Sequence, residues 1–441
     1  MMRFFYNLLF PFVLVALLPS FVLRMLRRGN YRHKFGQRFG IYSRRVREKL
    51  AGGRWTWVHA VSVGEVMVAL KLIDALRRAD PGIRVVLTTT TSTGYRLAHR
   101  HRSATLEPVY NPLDFPPIVT AAFRAFRPER LVLVEAEVWP NIVARARRAG
   151  IPRILVNARL SPRSEKRYRM VRLLAGPLFN SLDAICLQEP GDIPRWLGIG
   201  VKPSRLHLTG SVKFDSAGRS PATPSRDFRP VLDALGVAPG APVLIAGSTF
   251  DGEEILLAGV VRGLREKFPG LFLVLVPRHA ERGRSVRDQL AAEGFHAALR
   301  SGDDSPASDG ILIVNTTGEL RDWYACATVV YIGKSLARSA KGGQNPAEAI
   351  EAGKPVVFGP NMQNFEALAR QLVQSGGAVR VDSAAGLESA IGGLLADPAR
   401  RNAIAARGAD CLAAHAGAAA RTAEMILGRA AFPVAVAPDQ K

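Results

Sequence analysis

Trp55-Thr-Trp-Val-His-Ala-Val-Ser-Val-Gly-Glu65, which runs on through residues 66–78, changes its periodicity halfway. Trp57, Val58, Ala60 and Val61 form a short run that is apolar nearly throughout, the pattern of a buried strand. Further on, Met67, Leu70, Leu72, Ile73 and Leu76 fall at helical spacing. Between the two lies Ser62-Val-Gly-Glu65, a tight turn containing glycine. Strand, turn and helix in that order mark the edge of a parallel α/β sheet, and ligands in such sheets sit beyond the carboxyl ends of the strands. Ser62-x-x-Glu65 is equally a capping box, in which Glu65 merely satisfies the first free amides of its helix. Spacing alone leaves both roles open.

The same alternation extends in both directions. Strands are expected at residues 83–90, 130–135, 152–157 and 184–188, with helices such as 117–126 and 139–149 between them. Residues 216–228 are polar and rich in Pro and Ser, and read as a linker. A second alternating set follows, with strands at 243–246, 271–276, 311–314, 329–332 and 355–358 and an alanine-rich helical stretch at 405–420. The expected organisation is a basic-flanked anchor (1–43), a Rossmann-like domain (44–215), a linker (216–235), a second Rossmann-like domain (236–425) and a loose tail (426–441). Two α/β halves joined by one linker suggest a cleft between them, where large substrates bind.

Composition bounds the partners. The 441 residues are 48% hydrophobic and 22% charged, which is globular and long enough for two domains. Cys186, Cys326 and Cys411 are too far apart for a disulfide framework or a zinc spacing and read as thiols in a reducing compartment. A formal charge of +23 calls for anionic partners: nucleic acid, an anionic membrane surface or a phosphorylated substrate. No basic stripe with interleaved aromatics is present, so nucleic acid explains the charge poorly, and no His/Cys/carboxylate set has metal-ligand spacing. Residues 4–23 carry no charge and as a helix would cover about 30 Å, the depth of a bilayer core. Arg24, Arg27, Arg28, Arg32, Lys34 and Arg38 follow, which places that side toward the cytoplasm and favours anionic head groups. No small-residue cleavage site follows the run, so it reads as a retained anchor.

Three further places carry chemistry. Glu135 and Glu137 end an apolar run and, two apart on an extended chain, would point the same way. Pro277-Arg-His279 follows a very apolar strand, where Arg278 and His279 can meet phosphate. Gly342-Gly-Gln-Asn-Pro-Ala-Glu348 combines glycines that permit close approach with Asn345 as a cap and Pro346 at a helix start, a ready anion site. Lys334 in Gly333-Lys-Ser335 lacks the upstream glycines of a P-loop.

Taken together, these motifs resemble the 3-deoxy-D-manno-octulosonic acid (Kdo) transferases of lipopolysaccharide synthesis. The matching stretches are His59-Ala-Val-Ser-Val-Gly-Glu65, Thr90-Thr-Ser-Thr-Gly94, Glu135-Ala-Glu-Val-Trp-Pro-Asn141, Val156-Asn-Ala-Arg-Leu-Ser161 and Gly210-Ser-Val-Lys-Phe-Asp215. Val276-Pro-Arg-His279, Gly318-Glu-Leu320 and Gly343-Gln-Asn-Pro-Ala-Glu348 continue the match in order. The resemblance implies a GT-B fold, two Rossmann-like domains facing across a cleft. It implies inverting, metal-independent transfer of Kdo from CMP-Kdo, with no cofactor, to a lipid A precursor (lipid IVA) on the cytoplasmic face of the inner membrane. It maps the catalytic base onto Glu65 and a second essential acid onto Glu135. The nucleotide side falls on Arg278, His279, Gly318, Glu319, Asn345 and Glu348, while Ser62, Gly64 and Lys213 are acceptor-side or structural. The chain departs from the pattern at Lys334, where the family has Gly, at Gln344, where it has His, and at Phe250, where it also has His. All three lie on the donor half. The readings this leaves against it are another GT-B enzyme using a UDP-sugar, or a non-catalytic membrane-bound binder of anionic glycolipid.

Overall fold

The structure, a computed structural model, describes residues 3, 6–10, 12, 34–160, 162–215, 226–301, 309–337 and 342–429. Its contacts divide the chain into two units, residues 1–215 with 415–441, and residues 216–414.

In the first unit the strands are β1 (Trp55–His59), β2 (Val85–Thr89), β3 (Leu106–Tyr110), β4 (Pro128–Val134), β5 (Arg153–Ala158), β6 (Ala184–Leu187) and β7 (Leu206–Leu208). They form one sheet in the order β3-β2-β1-β4-β5-β6-β7. Every pairing is parallel, with Val58 level with Leu87 on one side and Val132 on the other. All five residues of β1 are buried, as a strand covered by helices on both faces requires. The chain leaves β1 for β2 on one side and reaches β4 on the other. That reversal puts the ligand crevice at the carboxyl ends of β1 and β4. The helix Val63–Ala79 follows β1 and buries Val66, Ala69, Leu72, Ile73 and Leu76. Met67, expected inward, is 52% exposed, because it lies one residue round from the stripe that Val66 and Ala69 turn to the sheet.

The second unit repeats the plan with β8 (Val243–Thr249), β9 (Phe272–Pro277), β10 (Ala297–Leu299), β11 (Ile311–Ile313), β12 (Val329–Ile332), β13 (Val356–Phe358) and β14 (Val379–Arg380). The order is β10-β11-β9-β8-β12-β13-β14, again all parallel. Here the reversal falls between β8 and β12.

The expected strands are all present, and four were not foreseen. β7, β10 and β14 are three, three and two residues long, too short to show a period. β3 hides Glu107 and Pro108 in its run, yet Glu107 is buried, held by Lys49 (2.8 Å) and Arg102 (2.9 Å).

The expected limits change in three places. The second domain does not reach residue 425, because the chain from His415 onward belongs to the first unit. The alanine-rich stretch breaks after the helix Pro398–Ala413, and Gly417, at φ 76°, starts a new helix Ala418–Leu427. Asp215 holds that start by accepting from the N–H groups of Gly417 (2.8 Å) and Ala419 (2.7 Å), while Ala419, Ala423 and Ile426 enter the core around Val66 and Ile73. Ile426 is therefore core and not loose tail; residues 430–441 lie outside the described residues. The linker keeps only its far end among the described residues, where Phe228 stacks on Trp323 with ring centroids 4.3 Å apart.

Most of the expected anchor also lies outside the described residues, and no helix among those described is long and apolar enough to cross a membrane. Residues 6–10 are helical. Phe10 stacks on Phe115 (5.7 Å), and the Asn7 Oδ1 accepts from the Asn141 Nδ2 (2.6 Å), while Leu8, Leu9 and Phe12 are exposed. Two cations of the basic flank make contacts within the fold. Arg38 is 7% exposed, donates to the Thr90 carbonyl (2.6 Å) and lies over the Tyr110 ring, and Lys34 donates to the Tyr95 hydroxyl (2.7 Å).

Candidate active site

Glu65 is the third residue of the helix after β1 and is only 9% exposed. Its Oε2 accepts from the Val61 N–H (2.8 Å) and its Oε1 from the Ser62 hydroxyl (3.0 Å). Its own N–H donates to the Ser62 Oγ (3.3 Å), so Ser62 is the helix cap. The capping box is real, with Glu65 reaching to Val61, one residue before the cap. Burial raises the Glu65 carboxyl above the ordinary range, against the pull of the Val61 and Ser62 hydrogen bonds. A cap of this kind leaves acceptor capacity on the carboxylate.

β4 ends at Val134, so Glu135 is not on an extended strand and the expectation that Glu135 and Glu137 point alike fails. Glu135 sits at φ 64°, a left-handed conformation disfavoured for a glutamate, while its N–H donates to the Val156 carbonyl (2.9 Å). Burial raises both Glu135 and Glu137, and the charge of Glu65 raises each further. Lys213 and Arg159 pull Glu135 back down. Burial lowers Lys213, and Glu135 offsets part of that. Three carboxylates and two cations thus meet at the reversal between β1 and β4.

The supports are specific. The Val61 carbonyl accepts from the Thr89 (3.1 Å) and Thr91 (3.2 Å) hydroxyls. Asn157, at φ 52°, accepts from the Val212 N–H (3.0 Å), and Lys71 donates to the Lys213 carbonyl (2.9 Å), which together hold the segment bearing Lys213. His59 is buried, and burial pulls it down to about 4, so it is neutral. The Trp139 N–H donates to its Nε2 (3.3 Å), which puts the ring proton on Nδ1, toward the Thr88 hydroxyl (3.0 Å). Asp114 accepts from the Asn141 (2.9 Å) and Ile142 (2.8 Å) N–H groups at the start of the helix Pro140–Arg148, and burial raises it to about 6. Gly64 is exposed, between exposed Val63 and Met67, and a Cβ there would meet nothing nearer than the Ser62 Oγ at 3.8 Å.

In the second unit, Arg278 and His279 lie exposed just beyond β9, the Arg278 N–H donating to the Thr249 carbonyl (3.0 Å). Gly318, at φ 85°, precedes Glu319, which accepts from the Thr316 hydroxyl (2.6 Å) and pairs with Arg226 (3.2 Å). Glu319 thus has partners within its own unit. The Asn345 Oδ1 accepts from the Ala347 N–H (3.1 Å), but the cap position of the five-residue helix Ala347–Glu351 falls on Pro346, so Asn345 stands one residue before the cap and Pro346 precedes the helix instead of opening it. Burial raises the Tyr324 hydroxyl and the charge of Glu348 raises it further, and Tyr324 packs against Gly247 in β8.

Sequence reasoning missed Glu253. This residue, 1% exposed, takes the Phe250 (2.9 Å) and Lys334 (2.6 Å) N–H groups on one oxygen. The other oxygen takes the Ser335 (2.9 Å) and Leu336 (3.1 Å) N–H groups and the Tyr331 hydroxyl (2.8 Å). The available signal was an acid directly after the first strand's turn, the same placement as Glu65. Arg159 and Asn157 were visible only as letters of a matching motif. Among the described residues no group of three or more His, Cys, Asp or Glu could hold a metal ion.

Two all-parallel units of this kind define a glycosyltransferase-like fold. The chain superposes on the Anabaena HepE protein crystallised with UDP at a TM-score of 0.57 and 15% identity, covering 85% of this chain and all (100%) of that one. It superposes comparably on a putative UDP-N-acetylglucosamine 2-epimerase from Listeria monocytogenes (TM-score 0.56, 13% identity, 86% and 98% covered), so these likenesses show the fold alone. Sequence is more specific. The family model described as 3-deoxy-D-manno-octulosonic-acid transferase (kdotransferase) matches residues 33–216. The chain is 36% identical over 434 residues to the 3-deoxy-D-manno-octulosonic acid transferase of Bordetella pertussis, covering 95% of this chain and 98% of that one. It is 29% identical over 430 residues to that of Haemophilus influenzae, covering 97% and 98%. The chain belongs to the Kdo transferase family.

Proposed function

We propose that this protein transfers Kdo from CMP-Kdo to a lipid A precursor in lipopolysaccharide core synthesis, with Glu65 as general base. The supporting observation is a buried carboxylate at the reversal between β1 and β4, raised by burial and not saturated with donors. In the proposed step, Glu65 takes the proton of an acceptor sugar hydroxyl. The oxygen attacks the anomeric carbon of Kdo from the face opposite CMP, and the carbon–oxygen bond to the phosphate breaks. CMP departs with the electron pair, and the configuration inverts. Glu135 and Lys213, whose charges feel each other, set the field in which that proton moves. Arg278 and Glu348 are assigned to the phosphate and ribose of the donor.

The acceptor is lipid IVA at the cytoplasmic face of the inner membrane, with residues 4–23 as anchor. The net charge of +23 suits an anionic bilayer and a phosphorylated lipid, and exposed Val63 and Met67 beside Gly64 suit an amphipathic acceptor. The transfer is proposed to need no metal and no cofactor, so it should survive chelation. The test is incubation of the membrane-bound full chain with CMP-Kdo and lipid IVA, followed by mass analysis. Lipid gaining Kdo with release of CMP is expected. Turnover only with a UDP-sugar, or lipid binding without nucleotide release, would overturn the reading.

A further inference from the structure

The reversal between β8 and β12 is where a ligand crevice of the second sheet is expected. Phe250 directly follows β8, and Lys334 is the second residue after β12. The two turns touch: a Cβ on Gly333 would lie 2.6 Å from the Thr249 Cα. Both are also held in disfavoured backbone, Ser248 at φ 56° and Lys334 at φ 57°. A glycine at 334 would remove that strain, so a lysine there needs a reason in its side chain.

One oxygen of Glu253 accepts from the N–H groups of both Phe250 and Lys334, which fixes the two positions against each other. The Lys334 ammonium lies 5.3 Å from the centroid of the Phe250 ring. Among the described residues no carboxylate pairs with it, and both side chains are half-buried. These are also two of the three positions at which the chain departs from the pattern it otherwise follows.

We propose that Lys334 is a donor-binding cation particular to this chain, positioned by the Phe250 ring to meet an anionic oxygen of the nucleotide sugar. This deepens the transferase reading and rests on it. The oxygen belongs either to the phosphate or to the sugar carboxylate; both offer the same negative charge to an ammonium, and the ligands below separate them. Phe250 acts through Lys334 and is a positioning residue.

The experiment measures binding of cytidine, CMP and CMP-Kdo to the full chain in wild type, Lys334→Gln, Phe250→Leu and the double variant. Lys334→Gln keeps the stem and the strain and removes the charge; Lys334→Gly relieves the strain and guards against a folding artefact. Both should weaken CMP and CMP-Kdo about tenfold while sparing cytidine if the phosphate is the partner, or weaken CMP-Kdo alone if the carboxylate is. Phe250→Leu should weaken the same ligands about threefold with Lys334 present and have no further effect once Lys334→Gln is made. Unchanged binding in both Lys334 variants, equal loss for cytidine, or additive effects of the two substitutions would overturn the proposal. A wild type that fails to bind CMP-Kdo would instead defeat the transferase reading, before any variant is compared.

Discussion

Glu65 and Glu253 occupy matching places in the two units. Each follows the first strand of a seven-stranded parallel sheet, near the start of the next helix, at the reversal of strand order, and each is buried. They differ in what their oxygens hold. Glu65 accepts from one amide and one hydroxyl, its own cap. Glu253 accepts from four amides between 2.6 and 3.1 Å and from the Tyr331 hydroxyl, and so ties the turn after β8 to the turn after β12. A carboxylate saturated with donors has nowhere to put a proton and acts as a strut, whereas a desolvated one with spare capacity can act as a base.

Removing the strut should have the largest effect on stability. Glu253→Gln replaces an acceptor of several N–H groups with an amide that has one oxygen, and should cost about 3–5 kcal/mol, the range for breaking a buried charged network. Thermal unfolding checks it. A variant within about 1 kcal/mol of wild type would erase the contrast with Glu65.

Arg278→Ala should raise the KM for CMP-Kdo about tenfold, and Glu348→Ala in the same direction, with little change for the lipid. Steady-state kinetics with each substrate varied would move either residue out of the donor site if the lipid KM rose equally.

The first unit's acids also predict a pH signature. Glu65, Glu135, Glu137 and Asp114 all sit above their ordinary values, Asp114 at about 6. The stability such groups lend is full below the ordinary carboxylate range and is lost as pH rises through the shifted values. Asp114→Asn should therefore flatten the decline in melting temperature between about pH 4 and pH 7. An unchanged slope would show that Asp114 ionises normally.

The smallest effect is expected at Gly64. With open space around a Cβ, Gly64→Ala should gain up to about 1 kcal/mol of stability from helix propensity. The same methyl would face the acceptor and should raise the lipid KM. A gain in stability with unchanged lipid KM would place the acceptor elsewhere.

Much of this was legible in the sequence, for reasons visible in particular residues. The long strands of both sheets were found because strands buried on both faces are apolar runs, and Glu65 because its turn has a fixed spacing. Ser62 was recognisable as a cap from local chemistry, whereas the cap expected at Asn345 falls one residue later, on Pro346. What stayed hidden depends on partners far along the chain. Glu253 reads as an ordinary helix-start acid until β12 brings Lys334 and Ser335 to it. The return of Ala418–Leu427 to the first unit rests on Asp215, some 200 residues earlier. The pairing of Lys334 with Phe250 likewise needs the sheet order. Glu135 was found for a reason that fails: its strand ends one residue earlier, and the acid owes its place to a strained turn and not to strand alternation.

The account stands most directly on Glu65→Gln. An amide caps as an acid does, so the variant should keep its melting temperature apart from a charge–dipole loss of about 0.3–1 kcal/mol. An amide cannot take a proton, so turnover should fall by about 10²–10⁴-fold while CMP-Kdo binding is retained. Turnover of the purified variant with CMP-Kdo and lipid IVA, set beside its melting temperature, decides between base and cap. A folded, donor-binding and nearly inactive protein is the predicted result; a folded protein turning over at the wild-type rate would contradict it and leave Glu65 a helix cap.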